Sequence, residues 1–327
     1  MLALALAAAV AAPQPGELTT FGNWTVGCDN VRTCQAVALV PEGEDRDAYV
    51  MLVVKRDAGP SARPVMTFTT NKPLPGSFRM RVDGKAVLRI ARQSLLPVPP
   101  ELADGNRATL TDDGGRTLAT ASLAGLAAAF LYMDERQGRI GTAGALRRRG
   151  SKPDSAVPAP PPLPRVVQPR PSPKSPRTIT PAAAARLIGP DNARCEYVSG
   201  PVRPRAFRLD ATHSLALIEH PCGNGAYNIM SSAFVVDEAG RATPARFDMR
   251  VGMNPDGPDT LVNADWDPRE RRLTSFAKGR GLGDCGVGSD FAWDGARFRL
   301  VHQVAMGECR GSTDYITTWR AAVTTGR

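Results

Sequence analysis

The sequence predicts a mainly β protein, with two antiparallel β domains joined by a proline-rich linker. Three observations predict this. Short runs of alternating apolar and polar residues recur through both halves, with Gly, Asp or Asn turns between them. A single apolar stripe of helical period closes the first half. Between the halves, residues 151–181 hold eleven prolines and five basic residues against one acid, Asp154. Proline locks φ and removes a backbone donor, so this stretch reads as an extended, basic polyproline spacer. It divides the chain into a first domain over 13–149, a linker over 150–180 and a second domain over 181–327, each domain of ordinary size.

Residues 1–12 (MLALALAAAVAA) are nearly all Ala and Leu. Twelve residues are too few to cross a hydrocarbon core about 30 Å thick. Small residues at Ala9 and Ala11 suit a signal peptidase, so this stretch is read as an export signal cleaved near Ala11 or Ala12. The expected location is periplasmic or secreted. There the six cysteines favour disulfides, and their spacing suggests Cys28–Cys34 in the first domain with Cys195–Cys222 and Cys285–Cys309 in the second. Zinc is the rival, but there is no Cys-x-x-Cys pair.

The first domain opens on a strand through Trp24 and Val26, turns at Asp29-Asn30 and returns through Cys34 to Leu39. Residues 49–54 are apolar on both faces and predict a central strand. Further strands are expected over 64–69, 78–82 and 86–90, the last two joined at Asp83-Gly84. Gly114-Gly115 turns into 116–120. A helix is expected over 122–137, capped by Ser122, carrying Leu123, Leu126, Phe130 and Met133 on its apolar stripe and stopped by Gly138. The architecture is thus a sandwich or roll that packs one helix.

After the linker, Thr180-Pro181 and Gly189-Pro190 bracket a short helix with cap, first-turn proline and stop signals. Strands are then expected over 213–219, 227–236, 241–249, 262–266, 272–276, 291–293, 297–304 and 315–319, forming an antiparallel meander. Trp266, Trp293 and Trp319 read as core residues.

Five stretches carry a resemblance. They are Trp24-Thr-Val-Gly-Cys-Asp-Asn30, Met133-Asp-Glu-Arg-Gln-Gly-Arg139, Pro221-Cys-Gly-Asn-Gly-Ala-Tyr-Asn228, Lys278-Gly-Arg-Gly-Leu-Gly-Asp-Cys285, and Cys309-Arg-Gly311 with Trp319. In this order they resemble the domain-of-unknown-function 1176 family of exported bacterial proteins. The Gly22-x-Trp24-x-Val26-x-Cys28 opening also resembles the invasion-associated locus B family. The resemblance implies an exported envelope protein and implies no reaction.

The net charge is +9, and ten Lys/Arg against three acids between residues 134 and 181 place +7 there, leaving +2 elsewhere. A nucleic-acid binder carries its charge on a folded face with aromatics interleaved, so no nucleic-acid partner is expected. The basic linker invites at most weak contact with anionic polymers or lipid. The glycine-rich 279–286 stretch is followed by a strand pattern, which excludes a phosphate loop and suggests a bulged strand held by Cys285. Lys278, Arg280 and Asp284 form one candidate ligand site. Arg136 and Arg139, at the end of the predicted helix, form a second, suited to an anion. His213, His220 and His302 are the only histidines and lack metal-ligand spacing, so no metal or cofactor is expected. The leading expectation is a non-catalytic, disulfide-stapled module that binds an envelope polymer or protein partner. The alternative is a hydrolase of envelope polymers using Arg280 and Asp284.

Overall fold

A computed structural model describes residues 12–43, 49–91, 95–193, 201–225, 227–252 and 259–326. The first half contains β1 (Leu18–Phe21), β2 (Trp24–Cys28), β3 (Cys34–Ala38), β4 (Val50–Arg56), β5 (Val65–Thr70), β6 (Phe78–Val82), β7 (Lys85–Ile90), β8 (Leu96–Pro97), β9 (Arg107–Thr111) and β10 (Thr117–Ser122). They form a six-stranded antiparallel sheet, β1-β2-β3-β4-β5-β8, and a four-stranded one, β10-β9-β6-β7. Trp24, Leu52 and Phe68 of the first sheet meet Met80 and Leu110 of the second in one core. Helix α1 (Leu126–Arg136) closes that core with Leu126, Phe130 and Met133. This is the expected sandwich with one packed helix.

The helix starts later than its sequence cap suggests. Ser122 is the last residue of β10, and its hydroxyl accepts a bond from Asn23 Nδ2 at 2.8 Å. The turn into α1 falls instead to Gly125, at φ 101°, whose missing Cβ lets the chain press against the Phe21 carbonyl. A tertiary contact thus took over the residue that local chemistry favoured as a cap.

The remaining strands and α-helices are β11 (Arg165–Gln168), α2 (Pro181–Ile188), α3 (Pro190–Ala193), β12 (Pro204–Arg208), β13 (His213–Glu219), β14 (Met230–Asp237), β15 (Ala242–Pro244), β16 (Leu261–Val262), β17 (Asp265–Asp267), β18 (Arg272–Lys278), β19 (Gly286–Trp293), β20 (Phe298–Met306), β21 (Ile316–Arg320) and β22 (Ala322–Thr325). The meander divides into two sheets, β12-β13-β14-β15 with β16 on β14, and β17-β18-β19-β20-β21. They share a core of Leu215, Leu217, Leu273, Phe291 and Phe298, with Trp266 and Trp293 in it and Trp319 at its edge. Thr180 caps α2 by accepting the Ala183 N–H at 3.2 Å. The helix covers the other face of β13, setting Ala184 and Ile188 against Ala216 and Ile218.

The proline-rich stretch opens on a 3-10 turn at Asp154–Ala156, and it is not a bare spacer. Its strand β11 pairs in parallel with β22, matching Arg165–Gln168 to Ala322–Thr325. Val166 is buried against Ala292 and Val301. Farther along, Lys174 donates to the Ala211 carbonyl and the Arg177 N–H to the Ser214 hydroxyl, at 3.0 and 2.9 Å.

The two halves also share an apolar cluster. Val37 of β3, Leu39 just beyond it and Val53 of β4 stand on the side that points away from the first core. They are buried against Cys285, Met306 and Ile316 of the second half. Removing residues 158–173 should therefore lower the melting temperature by about 5 °C or more, because β22 and the Val301 face lose their cover. Circular dichroism melts of the two forms check this, and equal melting temperatures would restore the free-spacer picture.

Candidate functional site

Lys278 ends β18 and Asp284 lies in the loop joining β18 to β19, whose last strand pair is Lys278 with Gly286. Residues 279–285 are therefore a hairpin loop rather than a bulged strand. Two close approaches shape it. A Cβ on Gly279 would lie 2.7 Å from the Cys285 sulfur, and Gly286, at φ 144°, packs on the Ala277 carbonyl. Cys285 is bonded to Cys309, as Cys28 is to Cys34. Cys222 is disulfide-bonded; its expected partner, Cys195, lies outside the described residues.

Inside this loop Arg280 is committed to Asp284, through Nε at 2.7 Å and through Nη2. Asp284 also accepts the Gly311 N–H at 2.7 Å. Its carboxyl is held below the usual range, first by Arg280 and then by Gly311 against the cost of burial. Beside it, Tyr315 donates to the Gly283 carbonyl at 3.0 Å and is pushed up to about 12 by burial and the Asp284 charge. The neighbouring loop is riveted on by one amide: Asn228 accepts the Lys278 N–H at 3.1 Å and donates to the Lys278 carbonyl at 2.9 Å. Lys278 Nζ stands 5.8 Å from the Tyr227 ring. The charges of Arg280 and Asp284 are spent on holding the hairpin.

Arg136 and Arg139 part company. Arg139 is buried and donates to the carbonyls of Gly59 and Ala62. Burial lowers its pKa, and it is not available to an external anion. It belongs to a network in which fully buried Arg56 donates to Asp134 at 2.7 Å and to Gln137 at 2.6 Å. Asp134 in turn accepts the N–H groups of Leu146 and Arg147 at 2.9 and 2.8 Å, tying the loop after α1 to the sheet.

Arg136, by contrast, is exposed and lies over the Tyr132 ring at 5.0 Å. Both line a cavity of about 950 Å³ between the Cys28–Cys34 hairpin, the end of α1 and residues 14–17. Glu17, Arg32 and Glu135 line it too, and among the described residues their side chains have no hydrogen bond or ion pair. Arg32 sits at φ 65° in the disulfide-closed turn, a conformation unusual for a residue with a side chain. That turn is set by Asp29, which accepts the Val31 and Thr33 N–H groups at 3.0 and 2.8 Å. Among the described residues, no group of three His, Cys, Asp or Glu side chains is placed to hold a metal ion.

The sequence profile of one protein family matches residues 18–322, nearly the whole chain. The chain belongs to the DUF1176 family, proteins of unknown function. It is similar to the uncharacterized protein YpfG of Escherichia coli K12, 29% identical over 329 residues that cover 91% of each chain. No solved structure matches it. The stretches that carry the DUF1176 resemblance have structural work in common. Trp24 bonds the Ser122 carbonyl at 2.9 Å, Asp134 and Gln137 hold Arg56, Asn228 holds Lys278, and Arg310 of the second half donates to the Val40 carbonyl at 2.9 Å.

Sequence reasoning singled out Arg136 but not its neighbours. Tyr132, Glu135 and Arg136 stand at i, i+3 and i+4, one face of α1, opposite the buried Phe130 and Met133; that spacing was the available signal. Nothing in the sequence places Arg32 or Glu17 beside them. The division between Arg136 and the buried network is measurable. Asp134→Ala should cost about 3–5 kcal/mol in urea unfolding, because it strands a buried guanidinium. Arg136→Ala should leave the unfolding midpoint where it is; a comparable loss from both would dissolve the distinction.

Proposed function

We propose that this protein is a non-catalytic binding module of the cell envelope, holding a small zwitterionic ligand in the cavity beside Arg136. The observation that carries the reading is the unspent charge in that cavity. Arg32 and Arg136 offer guanidiniums to a carboxylate, Glu17 and Glu135 offer carboxylates to an ammonium, and Tyr132 offers an apolar face. A volume of about 950 Å³ lies within the usual range for small-ligand sites. The lining includes no serine, threonine or histidine, and its cysteine is in a disulfide, so it offers charge and an aromatic face rather than a hydroxyl or thiol nucleophile. A short peptide carries the complementary charges at its two ends.

Export supports the same reading. The Ala/Leu run at 1–12 suits a cleaved leader, and disulfides persist in oxidising compartments. In that setting, short peptides from the cell wall are within reach of the cavity.

Isothermal titration with the dipeptide Ala-Ala, its N-acetyl form and its C-terminal amide tests the proposal. Saturable binding of the free dipeptide should weaken about fivefold or more on capping either end, and equally with Glu135→Gln or Arg136→Ala. Absence of saturable heat, or equal affinity for all three peptides, would overturn it.

A further inference from the structure

A second, unrelated arrangement lies in the other half. The turn between β12 and β13 holds Asp210, which is buried. Its carboxylate accepts the Thr212 and His213 N–H groups at 2.8 and 2.9 Å and the Trp293 indole N–H at 2.7 Å. It also meets His213 Nδ1 at 3.0 Å. Burial works to raise the carboxyl, but the bonds from Thr212, Trp293 and His213 prevail and hold it below its ordinary value. An ionised Asp210 accepts from Nδ1–H, so it fixes both the tautomer and the orientation of the ring. Nε2 has no protein partner among the described residues.

His213 lines a cavity of about 340 Å³ with Arg241, Arg246 and Asp237. Arg241 and Asp237 pair with one another at 3.0 Å. The Arg246 guanidinium has no hydrogen bond or ion pair among the described residues. The charged groups around His213 are thus Asp210, which interacts in turn with Arg271, and the Asp237–Arg241 pair and Arg246 that line the same cavity. One uncompensated positive charge and an oriented imidazole thus line the same space, which is large enough for a small solute.

We propose that this cavity is an oxyanion site, in which Arg246 and the Nε2 edge of His213 hold a phosphate or carboxylate group of a small ligand. The arrangement suits such a group because a guanidinium fork can take two of its oxygens while the imidazole takes a third contact. Asp210 and Trp293 are positioning residues that keep the ring turned toward the cavity. The site is independent of the cavity beside Arg136, and each stands if the other falls.

Proton NMR of the His213 ring reads the site directly in the full chain, with inorganic phosphate and acetate as the two probes. His213→Asn identifies the signal, and His302, half-buried on β20, is the internal control. The expected result is a saturable shift at His213 and no saturable shift at His302. Arg246→Ala, at an exposed position, should weaken the interaction about fivefold or more while the fold persists. A response to phosphate alone or to acetate alone assigns the group. A shift that never saturates with either probe, that is matched at His302, or that survives unchanged in Arg246→Ala overturns the proposal.

Discussion

The structure depends on a carboxylate in one half that needs a cation from the other. Asp29 shapes the turn closed by Cys28–Cys34, and it is buried. Arg320, on β21, donates to it at 2.5 Å and to Thr33 Oγ1 at 2.7 Å, while Asn30 exchanges two bonds with the Arg320 backbone at 2.8 and 2.9 Å. An isolated buried carboxylate is costly, and this one is satisfied only with the second half in place. Arg310 makes the reciprocal reach, donating to the Val40 and Gly22 carbonyls at 2.9 and 3.0 Å. Around these polar ties lies the apolar cluster of Val37, Leu39 and Val53 with Cys285, Met306 and Ile316. Each half brings a disulfide to this junction.

The proposed binding role rests on what this junction leaves free. Asp29 is occupied, so the turn it builds is rigid and Arg32 is held outward at its tip. The network of Arg56, Asp134 and Gln137 fixes the end of α1, and with it the exposed face carrying Tyr132, Glu135 and Arg136. Two rigid walls with unspent charge then face one another across the cavity. Preorganised charge of this kind binds at a lower entropic cost than charge on mobile chains.

Local chemistry was legible in the sequence wherever it acted alone. Asp83-Gly84 turned the predicted hairpin, and Thr180-Pro181 started α2 where cap and proline coincide. The double-sided apolar run at 49–54 was read as a central strand, and it is one. The cover on its second face is the other half of the chain, which periodicity cannot identify. The misreadings share one cause, a partner distant in sequence. Ser122 went to Asn23 across 99 positions, Arg139 went to Gly59 across 80, and β11 found β22 at the far end of the chain. A guanidinium near a helix end reads the same whether it faces solvent or a buried carbonyl. For that reason Arg136 and Arg139 looked equivalent and are not.

The central claim is that the two halves form a single cooperative unit, joined through Asp29, Arg320 and the apolar cluster between them. Scanning calorimetry of the full chain tests it most directly. The account predicts one transition whose calorimetric and van't Hoff enthalpies agree, and which Arg320→Ala shifts downward as a whole. Two resolved transitions in the unaltered protein, with Arg320→Ala moving neither, would contradict it.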